Sequence, residues 1–151
     1  MRRKEKEIKD HEEIMEILKR ASVCRLGLSY HDIPYVVPMN YGYQDNCLYF
    51  HSAKAGKKLD IIRKNPHVCF EIDLETQVIK REKPCHWGMK YKSVIGFGVA
   101  ELIPEVAAKK EALKIILKHY TTESFEFSDQ DVENVEIIKV EINEMSGKKS
   151  G

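Results

Sequence analysis

Two adjacent lysines, Lys57 and Lys58, stand where a short helix is expected to begin, in the stretch HSAKAGKKLD from His51 to Asp60. A helix start already carries the positive end of the backbone dipole. Acidic side chains are favoured there, and each cation costs a few tenths to about 1 kcal/mol. A bound anion reverses the sign of that effect. Free backbone N–H groups, the dipole and two ammonium groups would then converge on it, with Ser52 supplying a hydroxyl and Gly56 allowing close approach to the backbone. The stretch is not a P-loop. That motif needs a glycine five residues before Gly56 and a Ser or Thr after its lysine, and this chain has His51 and Lys58 there. A static phosphate monoester fits better than a nucleoside triphosphate. The bland reading is a pair of solvated lysines on an exposed helix, which are common.

The residues ahead of the pair bear on that choice. Tyr35, Tyr41, Tyr43, Tyr49 and Phe50 make the preceding strands aromatic and apolar, so a phosphate here would lie beside a flat apolar wall. A cofactor with a phosphate at one end and a planar ring at the other suits a pocket that is mostly apolar with a few placed polar groups. His51 ends an apolar run and is a candidate proton donor, weighed against a histidine packed in the wall. Cys24, Cys47, Cys69 and Cys85 form no C-x-x-C pair, and only Cys85–His86 are adjacent possible ligands. The spacing favours buried or partly buried thiols over a metal site, and no metal is expected.

These residues must be positioned by the elements around them. Asp10 to about Ala21 reads as an amphipathic helix, with Ile14, Ile17, Leu18 and Ala21 on one stripe and Asp10 and Glu13 as a capping-box-like pair. Three strands follow, Val23–Tyr30, Pro34–Tyr43 and Cys47–Ser52, separated by short polar breaks that predict an antiparallel meander. Pro38 places the second of them at an edge or bulge. Next come the helix Gly56–Asn65, stopped by Pro66, and a fourth strand at His67–Asp73. Leu74–Met89 reads as irregular, Tyr91–Ile103 as a long fifth strand and Pro104–Tyr120 as a helix. Gly96 and Gly98 in that strand predict a bend or a close approach, and Val135–Ile142 reads as the closing strand. Six short, mostly sequential antiparallel strands imply a small mainly-β barrel. Residues 1–145 are expected to form a single domain, and 146–151 a flexible basic tail.

Composition narrows the classes. With 25 basic and 24 acidic residues the formal charge is +1, against the large basic excess of a nucleic-acid coat protein. No apolar run reaches the roughly 20 residues of a membrane span, and the charged amino terminus does not read as a secretory signal. A cytoplasmic protein with no nucleic-acid or membrane partner is expected.

Taken together, Gly27–Ser29, Ile33–Tyr41, Leu48–Ala53, Gly56–Leu59, Asn65–Asp73 and Trp87–Gly98 resemble the FMN-binding split-barrel superfamily of pyridoxamine 5′-phosphate oxidase. Within it the chain is most similar to the nitroimidazole-resistance branch. The likeness runs from about Lys4 to Ile142. It implies a six-stranded antiparallel split β-barrel, a homodimer, and two FMN sites at the subunit interface. Val36, Val37, Pro38 and Met39 would line the flavin ring with Asn40 nearby, and Ser52, Lys57 and Lys58 would hold the phosphate. His51 would stand beside the flavin, while Trp87, Tyr91 and Ser93 would come from the partner subunit. The implied activity is reduction of a small planar acceptor such as a nitroaromatic. The alternative is a flavin- or haem-binding protein without turnover. The substrate-phosphate residues and C-terminal signature of the vitamin B6 oxidases have no counterpart here.

Overall fold

The longest strands set the frame. A computed structural model describes every residue, Met1–Gly151. In it β7 (Gly88–Ile103) and β8 (Val135–Ser150) run antiparallel over most of their lengths, with β6 (His67–Ile79) on the far side of β7. The other strands are β1 (Glu7–Ile8), β2 (Cys24–Tyr30), β3 (Ile33–Met39), β4 (Gly42–Gln44) and β5 (Cys47–Ala53). Four helices complete the chain: α1 (His11–Arg20), α2 (Lys57–Lys64), α3 (Val106–Tyr120) and α4 (Asp129–Glu133). The sheet order is β3-β2-β6-β7-β8-β5-β4, with β1 added to β8. Every neighbouring pair is antiparallel. The path stays open, since β3 and β4 at its ends do not pair.

Mainly antiparallel β with flanking helices is the expected class, with eight strands in place of six. The meander is corrected. Both short breaks do make two-residue hairpins, with His31 and Asp32, and Asp45 and Asn46, all at positive φ as a type I′ turn requires. Yet the second expected strand breaks at Asn40–Tyr41, and its two pieces go to opposite ends of the sheet. Pro34 and Pro38 sit on the edge strand β3, where a missing N–H costs no ladder bond on the open side.

Two further segments differ from expectation. Leu74–Met89 is partly strand, with an irregularity between Leu74 and Gln77 where Glu75 takes a positive φ. Ser146–Ser150 is no loose tail. It continues β8, pairing with Tyr91–Ile95 on one side and Glu7–Ile8 on the other. A segment whose N–H and C=O groups find ladders on both sides holds without apolar side chains of its own.

The core is one cluster of 22 buried residues, including Leu18, Leu26, Phe50, Phe70, Ile72, Val94 and Ile138. Burial of each large side chain contributes about 1.5–3 kcal/mol. Gly96 lies opposite Phe70 in register, and a side chain there would collide with the Phe70 ring. Gly98 sits at the β7–β8 irregularity against the Glu141 carbonyl. Both glycines therefore mark close approaches. On α1, the Asp10 carboxylate accepts from the Glu12 N–H at 3.0 Å, but Glu13 turns away to Lys149 at 2.8 Å, so the expected box does not form. A capping box does form at α4, between Ser128 and Asp131.

Candidate functional site

Helix α2 is tightly fixed at one end and open at the other. Leu59, Ile61 and Ile62 are buried against the barrel. At its C-terminal end the Asn65 amide donates to the Ser29 carbonyl at 2.8 Å, and the Pro66 carbonyl accepts from the Ala100 N–H at 2.8 Å. The first turn has no such closure. Gly56 precedes it at φ 149°, a backbone region that suits glycine, and no side chain caps the N–H groups that follow. A Cβ on Gly56 would meet nothing within 4 Å, so the space beside Gly56 is open.

Neither Lys57 nor Lys58 joins any of the chain's ion pairs, and the only acid in that turn, Asp60, reaches back to Arg63 at 3.7 Å. The Lys57 ammonium instead stands 4.7 Å from the centre of the Tyr35 ring on β3. Lys64 does the same at 4.9 Å over Tyr30, so α2 straps the β2–β3 hairpin through two cation–aromatic contacts. Because α2 also follows directly from β5, its first turn bridges β5 and β3, which share no hydrogen bonds. Tyr35 was not singled out as the partner of Lys57. The alternation of I-P-Y-V-V puts it on the inner row beside Val37, and only the position of α2 reveals the contact.

The remaining expected residues divide by face. Val36 and Pro38 point outward on β3, with Val36 63% exposed, while Val37 and Met39 point inward and are half-buried. Asn40 is exposed just past the strand. His51 is exposed, but Ser52 is buried, and its hydroxyl donates to the Ala53 carbonyl at 2.9 Å. A ligand would have to capture that proton. Tyr41, expected in the aromatic wall, is fully buried, and its hydroxyl donates to the Leu18 carbonyl at 2.5 Å.

Trp87, Tyr91 and Ser93 belong to the opposite end of β7. The Ala100–Pro66 hydrogen bond places the C-terminal end of α2 beside the later half of β7. Tyr91 lies nine residues away, about 30 Å of strand. One chain therefore keeps Ser52 far from Trp87 and Tyr91 along the sheet, while the register sets Met39 in line with Cys24, Ile72 and Val94, the neighbour of Ser93, three strands across. Two cavities, of about 610 and 280 Å³, lie along α3 and are lined by none of these residues. The candidate site is an open face, and a face becomes a pocket only when a second wall is added.

Burial raises the Cys24 thiol and the Tyr41 phenol, which suits inert core groups. Glu71 is raised by burial and by Asp73 beside it, against the opposing pull of Arg25. No group of three or more His, Cys, Asp or Glu side chains is placed to hold a metal ion, and no helix is long and apolar enough to cross a membrane.

With this geometry in place, the comparisons decide the family. The family model described as pyridoxamine 5′-phosphate oxidase matches residues 10–149. The chain belongs to the pyridoxamine 5′-phosphate oxidase family. Among solved structures it is similar to a candidate 5-nitroimidazole antibiotic resistance protein from Bacteroides thetaiotaomicron, at 36% identity and a TM-score of 0.84, covering 94% of this chain and 85% of that one. It shares its fold with a flavocytochrome from Azotobacter vinelandii (20% identity, TM-score 0.86, 100% of this chain and 72% of that one). The same holds for an FAD- and haem-binding protein from Mycobacterium smegmatis (17% identity, TM-score 0.85, 96% and 73%). An uncharacterized protein of Rhizobium meliloti is 34% identical over 65 residues, 43% of this chain and 42% of that protein, so the match spans less than half of that relative's length. The resemblance read from the sequence is thus borne out at the level of family and fold.

Proposed function

We propose that this member of the family binds FMN, with the phosphate on the first turn of α2, and reduces small planar acceptors such as nitroaromatics. One observation carries the reading: two lysines without carboxylate partners at a helix start that has no side-chain cap and open space beside Gly56. A phosphate there would receive charge-assisted hydrogen bonds from Lys57 and Lys58 and from the turn's N–H groups. The ring would lie along the open edge of β3, against the backbone of Val36, Val37, Pro38 and Met39, with Asn40 at the strand's end. Lys57, resting on Tyr35, ties the phosphate turn to that strand.

Bound flavin supplies the redox chemistry, and the protein supplies position and electrostatics. His51, exposed at the end of β5, is available to orient an acceptor or give it a proton. The site is completed by a second copy of the chain. Ile95, Phe97 and Val99 form an exposed apolar row on one face of β7, at 49%, 50% and 37% exposure. The register sets Phe97 in line with Cys69, Gly27 and Val36 across four strands. Burying that face between copies would bring Trp87, Tyr91 and Ser93 of one chain towards the flavin of the other. The similarity to the Bacteroides protein supports the nitroimidazole as acceptor.

The purified protein is expected to show flavin bands near about 375 and 450 nm. Anaerobic incubation of the flavin-loaded protein with a reductant and a 5-nitroimidazole is expected to yield the amine. Unreacted drug with flavin still bound would reject the acceptor and favour a flavin- or haem-holding protein without turnover.

A further inference from the structure

The net charge of +1 conceals a strong separation along the β7–β8 hairpin. Three segments meet at one end of it through strand pairing: residues 1–8, 80–92 and 146–151. Glu7 pairs with Lys148, Tyr91 with Ser150, and Met89 with Val78. Together the segments hold eleven Lys and Arg against three Glu, a net +8, with Glu13 of α1 and Glu75 of β6 against two of the cations. Residues 121–136 contain six acids, Glu123, Glu126, Asp129, Asp131, Glu133 and Glu136, and no Lys or Arg. They surround the start of β8, whose 16 residues reach about 50 Å to the basic end.

The basic end is under-compensated. Of its eleven cations only Lys92 and Lys149 make ion pairs, with Glu13 and Glu75. Lys80 lies 5.3 Å from the Trp87 ring centre, and Lys148 lies 5.8 Å from that of Tyr91. Amid these charges Val78, Trp87 and Met89 are exposed. Trp87 is pinned, since its indole N–H donates to the Arg81 carbonyl at 2.8 Å. With Trp87 turned to the partner subunit's flavin, the cations around it, Lys80, Arg81 and Lys83, which make no ion pairs, form the charged rim that a docking protein would meet. A single phosphate would use only one or two of these cations. A long polyanion would run from this end towards the acids of residues 121–136.

We propose that this end docks an acidic electron-transfer protein that reduces the bound flavin. The inference rests on the flavin reading above, in which Trp87, Tyr91 and Ser93, at this same end, approach the partner subunit's flavin. A docked donor would then stand beside it. Two donor molecules each lose one electron, the flavin takes up both with protons from solvent, and no covalent bond forms. The six acids of residues 121–136, at the far end of β8, turn the molecule so that its basic end leads the encounter.

The test is anaerobic stopped-flow mixing of the FMN-loaded protein with fully reduced flavodoxin, an acidic one-electron donor. The second-order rate should fall about tenfold or more as salt rises from about 20 to about 300 mM. The triple variant Lys80→Glu, Arg81→Glu, Lys83→Glu should lose about tenfold at low salt, while dithionite reduces its FMN at a rate within about twofold of the parent. A salt-independent rate, or a triple variant as fast as the parent, overturns the proposal. So does tighter binding to phosphatidylglycerol vesicles or to single-stranded DNA than to flavodoxin, or salt-sensitive self-association that uses up the same cations. If no FMN is retained, the flavin reading fails by itself. Calorimetric titration of the unloaded chain with flavodoxin then still decides the docking, since absence of salt-sensitive binding sinks it.

Discussion

The β6–β7–β8 side of the molecule and the β3–α2 side are built on opposite principles. On the first, strands of 13 to 16 residues pair along most of their length, Phe70 fills the space left by Gly96, and even the last residues are held between two ladders. On the second, an edge strand with two prolines has a single neighbour, and the adjoining helix begins with no side-chain cap and two cations lacking ion pairs. Backbone and charge requirements are met internally on the first side. On the second they are left for something outside the chain to meet. Stability and recognition are therefore expected to separate in mutants.

The largest effect falls on the well-paired side. Phe70→Ala should cost about 3–5 kcal/mol in denaturant melts. Ile33→Ala, exposed at the start of β3, should stay within about 0.5 kcal/mol. Equal losses at the two positions would erase the contrast. Next, deleting residues 146–151 removes ladder bonds to both β1 and β7 and should lower stability by about 2–4 kcal/mol. A truncated chain as stable as the parent would restore the loose tail read from the sequence.

The lysines should behave in the reverse sense. Lys57→Ala with Lys58→Ala should change the stability of the unloaded chain by no more than about 1 kcal/mol, because removing two cations from a positive helix end offsets the lost Lys57–Tyr35 contact. FMN affinity should fall at least about thirtyfold in the same variant. The smallest effect concerns Glu13, whose carboxyl is held below its ordinary range chiefly by its hydrogen bond to Lys149, with help from Lys92. A lowered folded-state pKa means that the contribution is present at neutral pH and is lost as pH falls through that lowered value. Lys149→Ala should cost no more than about 0.5 kcal/mol at neutral pH and move the Glu13 titration upward by NMR.

Legibility in the sequence followed the same division. The hairpin at His31–Asp32, the α2 boundaries and the long β7 were readable because turn chemistry, a stopping proline and alternation are local signals. The tail was not, because E-M-S-G-K-K-S has little apolar content and is held by partners remote in sequence. Nor was the break at Asn40–Tyr41 readable, where Tyr41 leaves the strand to bury its ring and reach the Leu18 carbonyl. At the candidate site the lysine pair was visible as a violation of helix electrostatics, whereas Tyr35 beneath Lys57 and the inward turn of Ser52 needed the assembled sheet. The charge separation along β8 was also hidden, since strand pairing alone brings its three basic segments together.

The central claim is that the first turn of α2 recognises a phosphate, and titration of the unloaded protein with FMN and with riboflavin, followed by flavin fluorescence, tests it most directly. FMN should bind at least about thirtyfold more tightly than riboflavin, and the Lys57→Ala, Lys58→Ala variant should lose that preference while keeping its riboflavin affinity. Equal affinity for the two flavins in the parent protein, or an FMN preference that survives in the variant, would contradict it.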